Sequence, residues 1–221
     1  MARPRVSETD HGIEGEFTVA IYDEFQRHMR DRGWIETKAI LKEGITRGRA
    51  LEIGPGPGYL GLEWLKNTDH TALVGVEISS DMIVVAWANA QNYGLSERVE
   101  YVQGSGDDLP LPEASFDAVF AAGSLHEWAD PRATFQEMWR VLKPGGRLFV
   151  SDLRRDMLAP VRWFLWLSTR PKTLRPGLIT SISASYTPAE VRELMRGAGL
   201  ESCRVSSNPL GLTITGQKQA S

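Results

Sequence analysis

RALEIGPGPGYLGLEWLKN, Arg49–Asn67, is the stretch that decides the fold. Ala50–Ile53 is a short apolar run of the length a buried strand needs. Gly54-Pro55-Gly56-Pro57-Gly58 then forces a turn, and a helical pattern starts at about Tyr59. Glycines at alternate positions just after a strand let the backbone turn tightly and let a ligand approach without Cβ interference. The helix that follows offers its first N–H groups to that ligand. A tight turn also needs glycine, so this loop taken alone leaves turn and site both open.

Outward from the loop, strand and helix signals alternate. TALVGVEIS reads as a second buried strand, and Ser79-Ser80-Asp81 caps a helix over Met82–Tyr93. VEYVQG is a third strand and SFDAVFAAG a fourth; PRATFQEMWRVL is a helix opened by Pro131. Lys143-Pro144-Gly145-Gly146 is expected to end that helix, with RLFVSDL following as a fifth strand. YTPAEVRELMRGAGL is a helix capped by Thr187 and closed by Gly199, and ESCRVSS and LGLTITGQK are two strands joined at Asn208-Pro209. Apolar residues between about Phe17 and Leu41 predict one or two amphipathic helices. Near-unbroken apolar strands alternating with helices indicate an α/β fold with a parallel sheet covered on both faces.

Two carboxylates narrow the ligand. Read from Gly54, a dinucleotide fingerprint would place its third glycine at Tyr59, a bulky side chain that argues against close pyrophosphate approach. Glu52, two residues before the first glycine, disfavours a phosphate and favours an ammonium group. Glu77 ends the second strand about twenty residues past the loop, where an acid can accept both hydroxyls of a ribose. The local chemistry suits a cationic ligand.

With these residues in place, the chain resembles a class I S-adenosylmethionine (SAM)-dependent methyltransferase, in the branch similar to ubiquinone/menaquinone-biosynthesis methyltransferases. The resemblance covers roughly Arg49 to Lys218 and rests on ALEIGPGPG, VGVEIS, LPLPEASFD (Leu109–Asp117), SLHEWADP, MWRVLKPGGR and YTPAEVRELMRGAGL, in that order. It implies a Rossmann-like, doubly wound, mostly parallel seven-stranded sheet with an antiparallel C-terminal strand and helices on both faces. It implies that Glu52, Gly54, Pro55, Gly56 and Gly58 hold the methionine end of the cofactor and Glu77 its ribose. Ile78 and Met82 would pack on the adenine. Where the family often has Gly-Asp-Ala before its Leu-Pro, this chain reads Gly104-Ser105-Gly106, so Ser105 stands in for the adenine-contacting Asp and the Gly106 N–H for a second contact. Ala122 and Gly123 would line the sulfonium.

On the acceptor side, the ends of strands four and five offer His126, Glu127, Asp152, Arg154 and Arg155. His126 is of the residue type a general base at neutral pH needs, and it can equally serve to order its loop or lie against the cofactor; many relatives resembling this chain carry His here with different acceptors. Tyr22 and Phe17 either close over the cofactor or pack in the core. The segment from Arg154 to Tyr186 breaks the alternation and reads as a long insertion, the kind that often carries function. Counted with Asp152, it sets Arg154, Arg155, Arg162, Arg170, Lys172 and Arg175 against two acids, a local charge of about +4. Trp163, Phe164 and Trp166 either line an apolar acceptor pocket with Tyr186 or pack the lid onto the sheet, and Arg154, Arg155, Arg170 and Arg175 either hold an anionic group or are solvated; contact with a membrane surface is a variant.

The organisation expected is therefore one domain: a helical arm over 1–48, a cofactor core over 49–153, a substrate cap over 154–186, and a C-terminal helix and strands over 187–221. The polar N-terminus carries no apolar signal core and reads as a frayed or partner-dependent arm. At 221 residues, 42 % apolar and 24 % charged, the composition is that of a globular protein, and a net charge of −3 argues against general nucleic-acid binding. The single cysteine, Cys203, excludes an internal disulfide and any multi-cysteine metal site, and fits a reducing, cytoplasmic setting. No metal and no stable membrane insertion are expected. The function expected is methyl transfer to a small molecule by a monomer or homodimer; the alternative is a SAM-binding regulatory or partner protein without transfer activity.

Overall fold

The computed structural model describes residues 4–6 and 15–220. Its centre is β1 (Arg49–Ile53), whose Leu51 and Ile53 side chains join one core while Ala50 joins the other. β2 (Ala72–Glu77) and β3 (Val99–Gln103) extend the sheet on one side. β4 (Phe116–Ala122), β5 (Leu142–Leu153), β7 (Gly211–Gln217) and β6 (Arg204–Ser207) extend it on the other, giving the order β3-β2-β1-β4-β5-β7-β6. All pairs from β3 to β5 are parallel, and β7 runs antiparallel to both β5 and β6. The seven strands and the single reversed strand are those the sequence implies.

The helices α1 (Glu16–Asp31), α2 (Thr37–Lys42), α3 (Tyr59–Lys66) and α4 (Ser80–Tyr93) precede β4 in the chain. Trp64, Leu62 and Ile40 from α2 and α3 pack with Leu73, Phe120 and Phe149 on one face of the sheet. On the other face, Phe135 and Met138 of α5 (Pro131–Val141) and Val191 and Met195 of α8 (Pro188–Gly197) pack on Leu51, Val74 and Ile214. Local caps set the helix starts. Ser79 accepts from Met82 N–H, Asp130 from Ala133 N–H, and Thr187 and Glu190 form a reciprocal capping box.

Two expectations change. Lys143–Gly146 does not separate helix from strand: β5 begins at Leu142, directly after α5. Its register jumps from Leu142 opposite Phe116 to Arg147 opposite Ala118, so the Pro-Gly-Gly segment is a bulge inside the strand, anchored by Gly145 N–H to the Lys218 carbonyl. The insertion that breaks the alternation forms α6 (Ala159–Ser168) and α7 (Arg175–Ala184). The arm is not frayed at Pro4–Val6. Val6 N–H donates to the Ser183 carbonyl, and Arg5 donates to the carbonyls of Ala184 and His126 while its guanidinium sits 4.3 Å from the Tyr186 ring centre. One cation that satisfies two carbonyls and an aromatic face holds the segment down.

The order of strands reverses between β1 and β4, because β1 pairs β2 on one edge and β4 on the other. In open parallel sheets that switch point, at the carboxyl ends of the strands, is where ligands bind.

Candidate cofactor and acceptor site

The switch point is built by the glycine loop. Gly54, Gly56 and Gly58 all have positive φ, at 64°, 53° and 85°. Gly58 is the left-handed residue that starts α3, and a Cβ there would lie 2.5 Å from Tyr101 Oη. Only glycine fits both the angle and the space. Pro55 is buried, its ring against Gly75 of β2, and its carbonyl accepts from Gly58 N–H. It shapes the loop from behind.

Glu77, buried at the end of β2, holds this loop to the next one: Oε2 accepts from Gly56 N–H at 3.0 Å and Oε1 from Ser79 N–H at 3.0 Å. Burial raises its pKa, opposed by the N–H groups of Ser79, Gly56 and Ile78. The carboxylate keeps acceptor capacity for a ligand hydroxyl beyond these N–H groups. Ile78 beside it is 43 % exposed and offers an apolar surface, whereas Met82 is enclosed under the first turn of α4 and supports that surface from below.

Glu52 takes an apolar position on the α3 face of β1. It is 2 % exposed, and a Cβ at Gly61 would collide with its Oε2. Burial first, and the nearby Glu77 second, push its pKa up to about 8, against the Gly61 N–H. Two buried oxygens near the loop, Glu52 Oε2 and Tyr101 Oη, have no hydrogen-bond partner. A polar group is required to satisfy them, and an ammonium nearby would draw the Glu52 carboxyl into its charged form. Gly106 sits tightly against the end of β1, where a Cβ would meet Ile53 and Thr134 at 3.0 Å; Ser105 beside it is half-buried. Gly123 turns away from β4 with φ 70° and donates to the Ser151 carbonyl, leaving Ala122 half-buried at the strand end.

Beyond β4, a 3-10 turn over Leu125–Glu127 carries His126. Its ring is 5 % exposed, and Nδ1 lies 2.9 Å from both carboxylate oxygens of Asp152 at the end of β5. Asp152 Oδ2 also accepts from the His126 backbone N–H at 2.8 Å. This dyad fixes the ring orientation and, through the network, assigns the proton of the neutral imidazole to Nδ1. Glu127 Oε1 is 3.8 Å from Nε2.

Tyr22 of α1 lies across the junction: its Cε1 is 3.4 Å from where a Gly56 Cβ would stand, and its hydroxyl accepts from Gln26. Burial raises its pKa most, followed by Glu127, with Glu77 and Asp152 adding, so the phenol stays protonated. Asp23 on the same helix accepts from Tyr59 and Asn89, which clasps α1 to α3 and α4. Phe17, the other expected closing residue, lies outside the residues whose side chains are described.

The site also includes an acid that no motif marks. Glu36, between α1 and α2, is pushed up to about 7 by burial and by Asp152, against a hydrogen bond from Ser151. Only the chain path from α1 to α2 brings it to the end of β5.

The cap residues are placed differently from expectation. Arg154 is committed to Asp156 and the Asn208 carbonyl, and Arg155 to Glu190 and the Ser185 carbonyl. Arg170 and Arg175 donate to backbone carbonyls at the end of α6, Arg175 also stacking 4.1 Å over Trp166. Arg154 and Arg155 thus brace the base of the cap through acids and carbonyls, while Arg170 and Arg175 meet carbonyls and a ring. Trp163 and Phe164 are 65 % and 56 % exposed and do not line an enclosed pocket. Tyr186 is buried beneath Arg5. It borders a groove of about 420 Å³ with Arg5, Arg132 and Glu190 that contains no residue of the glycine loop.

Residues 51–150 match the model of a methyltransferase domain. The chain is 36 % identical over 122 residues to a demethylmenaquinone methyltransferase of Deinococcus radiodurans, which spans 55 % of this chain and 50 % of that protein. It is 31 % identical over 120 residues to a ubiquinone/menaquinone biosynthesis C-methyltransferase of Enterobacter, covering 53 % and 48 %. The matched part thus spans about half the length of these curated relatives. Among solved structures, a SAM-dependent methyltransferase from Aquifex aeolicus shares the fold, with a TM-score of 0.64 at 21 % identity over 83 % of this chain and 89 % of that one.

Proposed function

We propose that this chain, whose residues 51–150 match a methyltransferase domain, is a class I SAM-dependent methyltransferase that transfers the methyl group of SAM to a small-molecule acceptor. The observation that carries this reading is the concentration of Glu36, Glu52, Glu77, Glu127 and Asp152 near the switch point, where strand order reverses and a cationic ligand finds its complement.

SAM, when bound, supplies a methyl group on a sulfonium centre that leaves as a neutral thioether. The Glu77 carboxylate receives the ribose hydroxyls, and Glu52 beside the glycine loop receives the ammonium of the methionine end. Ile78, Ser105 and Gly106 border the adenine, and Ala122 and Gly123 the methyl side. Tyr22 covers the loop and excludes water. His126, its Nδ1 held by Asp152, takes the acceptor's proton at Nε2, and Asp152 stabilises the imidazolium that forms. Alignment supplies most of the acceleration. The names of the quinone-pathway relatives support a small acceptor with an apolar body, and the pairing of Arg154 with Asp156 and of Arg155 with Glu190 weighs against an anionic group held by those two residues.

The test is incubation of the purified chain with methyl-labelled SAM and a fractionated cell extract. The expected result is label in the low-molecular-mass organic fraction. Binding of SAM with no label in any fraction would favour the non-catalytic alternative, and label confined to protein or nucleic acid would overturn the acceptor class.

A further inference from the structure

We propose that α6 rests on an anionic lipid bilayer surface. The helix is an exposed element of an apolar kind: none of its ten residues is buried. Leu158 is 72 % exposed, Trp163 65 %, Phe164 56 %, Leu167 39 % and Trp166 37 %. Large apolar side chains gathered on one outward-facing element mark an interaction surface, since a soluble surface gains nothing from them.

The spacing makes two adjacent rows. Pro160, Trp163, Phe164 and Leu167 recur at three- and four-residue intervals and share one stripe. Arg162 and Trp166 form the row beside it, and Arg170 follows just past the helix end. From Met157 to Ala189 the chain contains no Asp or Glu but four cations, Arg162, Arg170, Lys172 and Arg175, in a protein whose net charge is −3. A segment of this length with cations and no acid, beside protruding Trp and Phe, is the pattern that suits a negatively charged lipid–water interface. Aromatic rings settle among the headgroups and Arg and Lys meet the lipid phosphates. A second copy of this chain fits less well, because a twofold contact through α6 would bring Arg162 and its neighbours against their own like charges. Among the described residues no helix is long and apolar enough to cross a membrane, so the contact is peripheral.

The experiment is co-sedimentation of the full chain, at low salt, with vesicles of phosphatidylcholine alone or mixed with phosphatidylglycerol. It is repeated for the double variant Trp163→Ser/Phe164→Ser and for Arg162→Gln/Lys172→Gln. All four positions are exposed, and unchanged affinity for S-adenosylhomocysteine confirms an intact fold. The wild type is expected to pellet with the anionic vesicles and stay in solution with the neutral ones. Loss of the aromatic pair weakens binding by about tenfold or more, and each lost cation weakens it by about fivefold. Three results would each overturn the inference: a wild type that stays in solution with both vesicle types, an aromatic double variant that binds like the wild type, or a wild-type dimer that this variant converts to monomer.

Discussion

Below pH 8 the Glu52 carboxyl is largely neutral in the free protein, because burial and Glu77 push its pKa up to about 8. If it must be charged to meet the ammonium of the cofactor, only the ionised fraction of the protein is competent to bind, and affinity falls in proportion to that fraction. With a pKa of about 8, roughly 0.3 % is ionised at pH 5.5 and roughly 9 % at pH 7.0. The affinity for S-adenosylhomocysteine, whose α-amino group stays mainly protonated over that range, should therefore tighten about 30-fold between the two pH values. Binding at the lower pH should also release about one proton, which calorimetry in buffers of different ionisation enthalpy reads directly. Glu52→Gln, of the same shape and always neutral, should bind more weakly and lose most of that dependence. Equal pH dependence in the wild type and in Glu52→Gln would refute the reasoning.

Folding stability carries the opposite sign. Glu36 and Glu52 have pKa values of about 7 and about 8, both raised from 4.5, so their contribution is full below pH 4.5 and is lost as pH rises through 7 to 8. The melting temperature should fall by several degrees from pH 5 to pH 8.5, and Glu36→Gln should reduce the fall. Gly58→Ala should cost about 1–3 kcal/mol, from the positive φ and the collision with Tyr101 Oη. Adding Tyr101→Phe should recover part of that loss by removing the oxygen, as read by chemical denaturation. His126→Ala should lower turnover in the extract assay by about 10²-fold or more, with S-adenosylhomocysteine affinity unchanged. Asp152→Asn, which releases the ring from its tautomer, should lower turnover by less.

The fold was legible because its strands are short apolar runs bounded by glycine and by capping residues. Leu51 and Ile53 announce β1, Ser79 fixes the start of α4, and Thr187 with Glu190 fixes α8. The glycine loop and its acid were legible for the same reason: Gly58 and Glu77 take their places through backbone and sequence spacing. What sequence reading missed depends on tertiary partners. Lys143–Gly146 reads as a turn, and only its pairing with Phe116 and Lys218 makes it a bulge within β5. Arg154 and Arg155 read as ligand-binding cations until Asp156 and Glu190 are seen to occupy them. Arg5 lies in a polar terminus and gains its place through Tyr186, nearly the length of the chain away. Glu36 belongs to no pattern, and burial beside Ser151 and Asp152 is what marks it.

The most direct measurement is a calorimetric titration of the purified chain and its Glu77→Ala variant with S-adenosylhomocysteine and with a nicotinamide dinucleotide. The account predicts one site for the nucleoside on the wild type, no measurable binding by the variant despite retained cooperative melting, and no dinucleotide binding by either. Dinucleotide binding without nucleoside binding, or a variant that binds the nucleoside as tightly as the wild type, would contradict it.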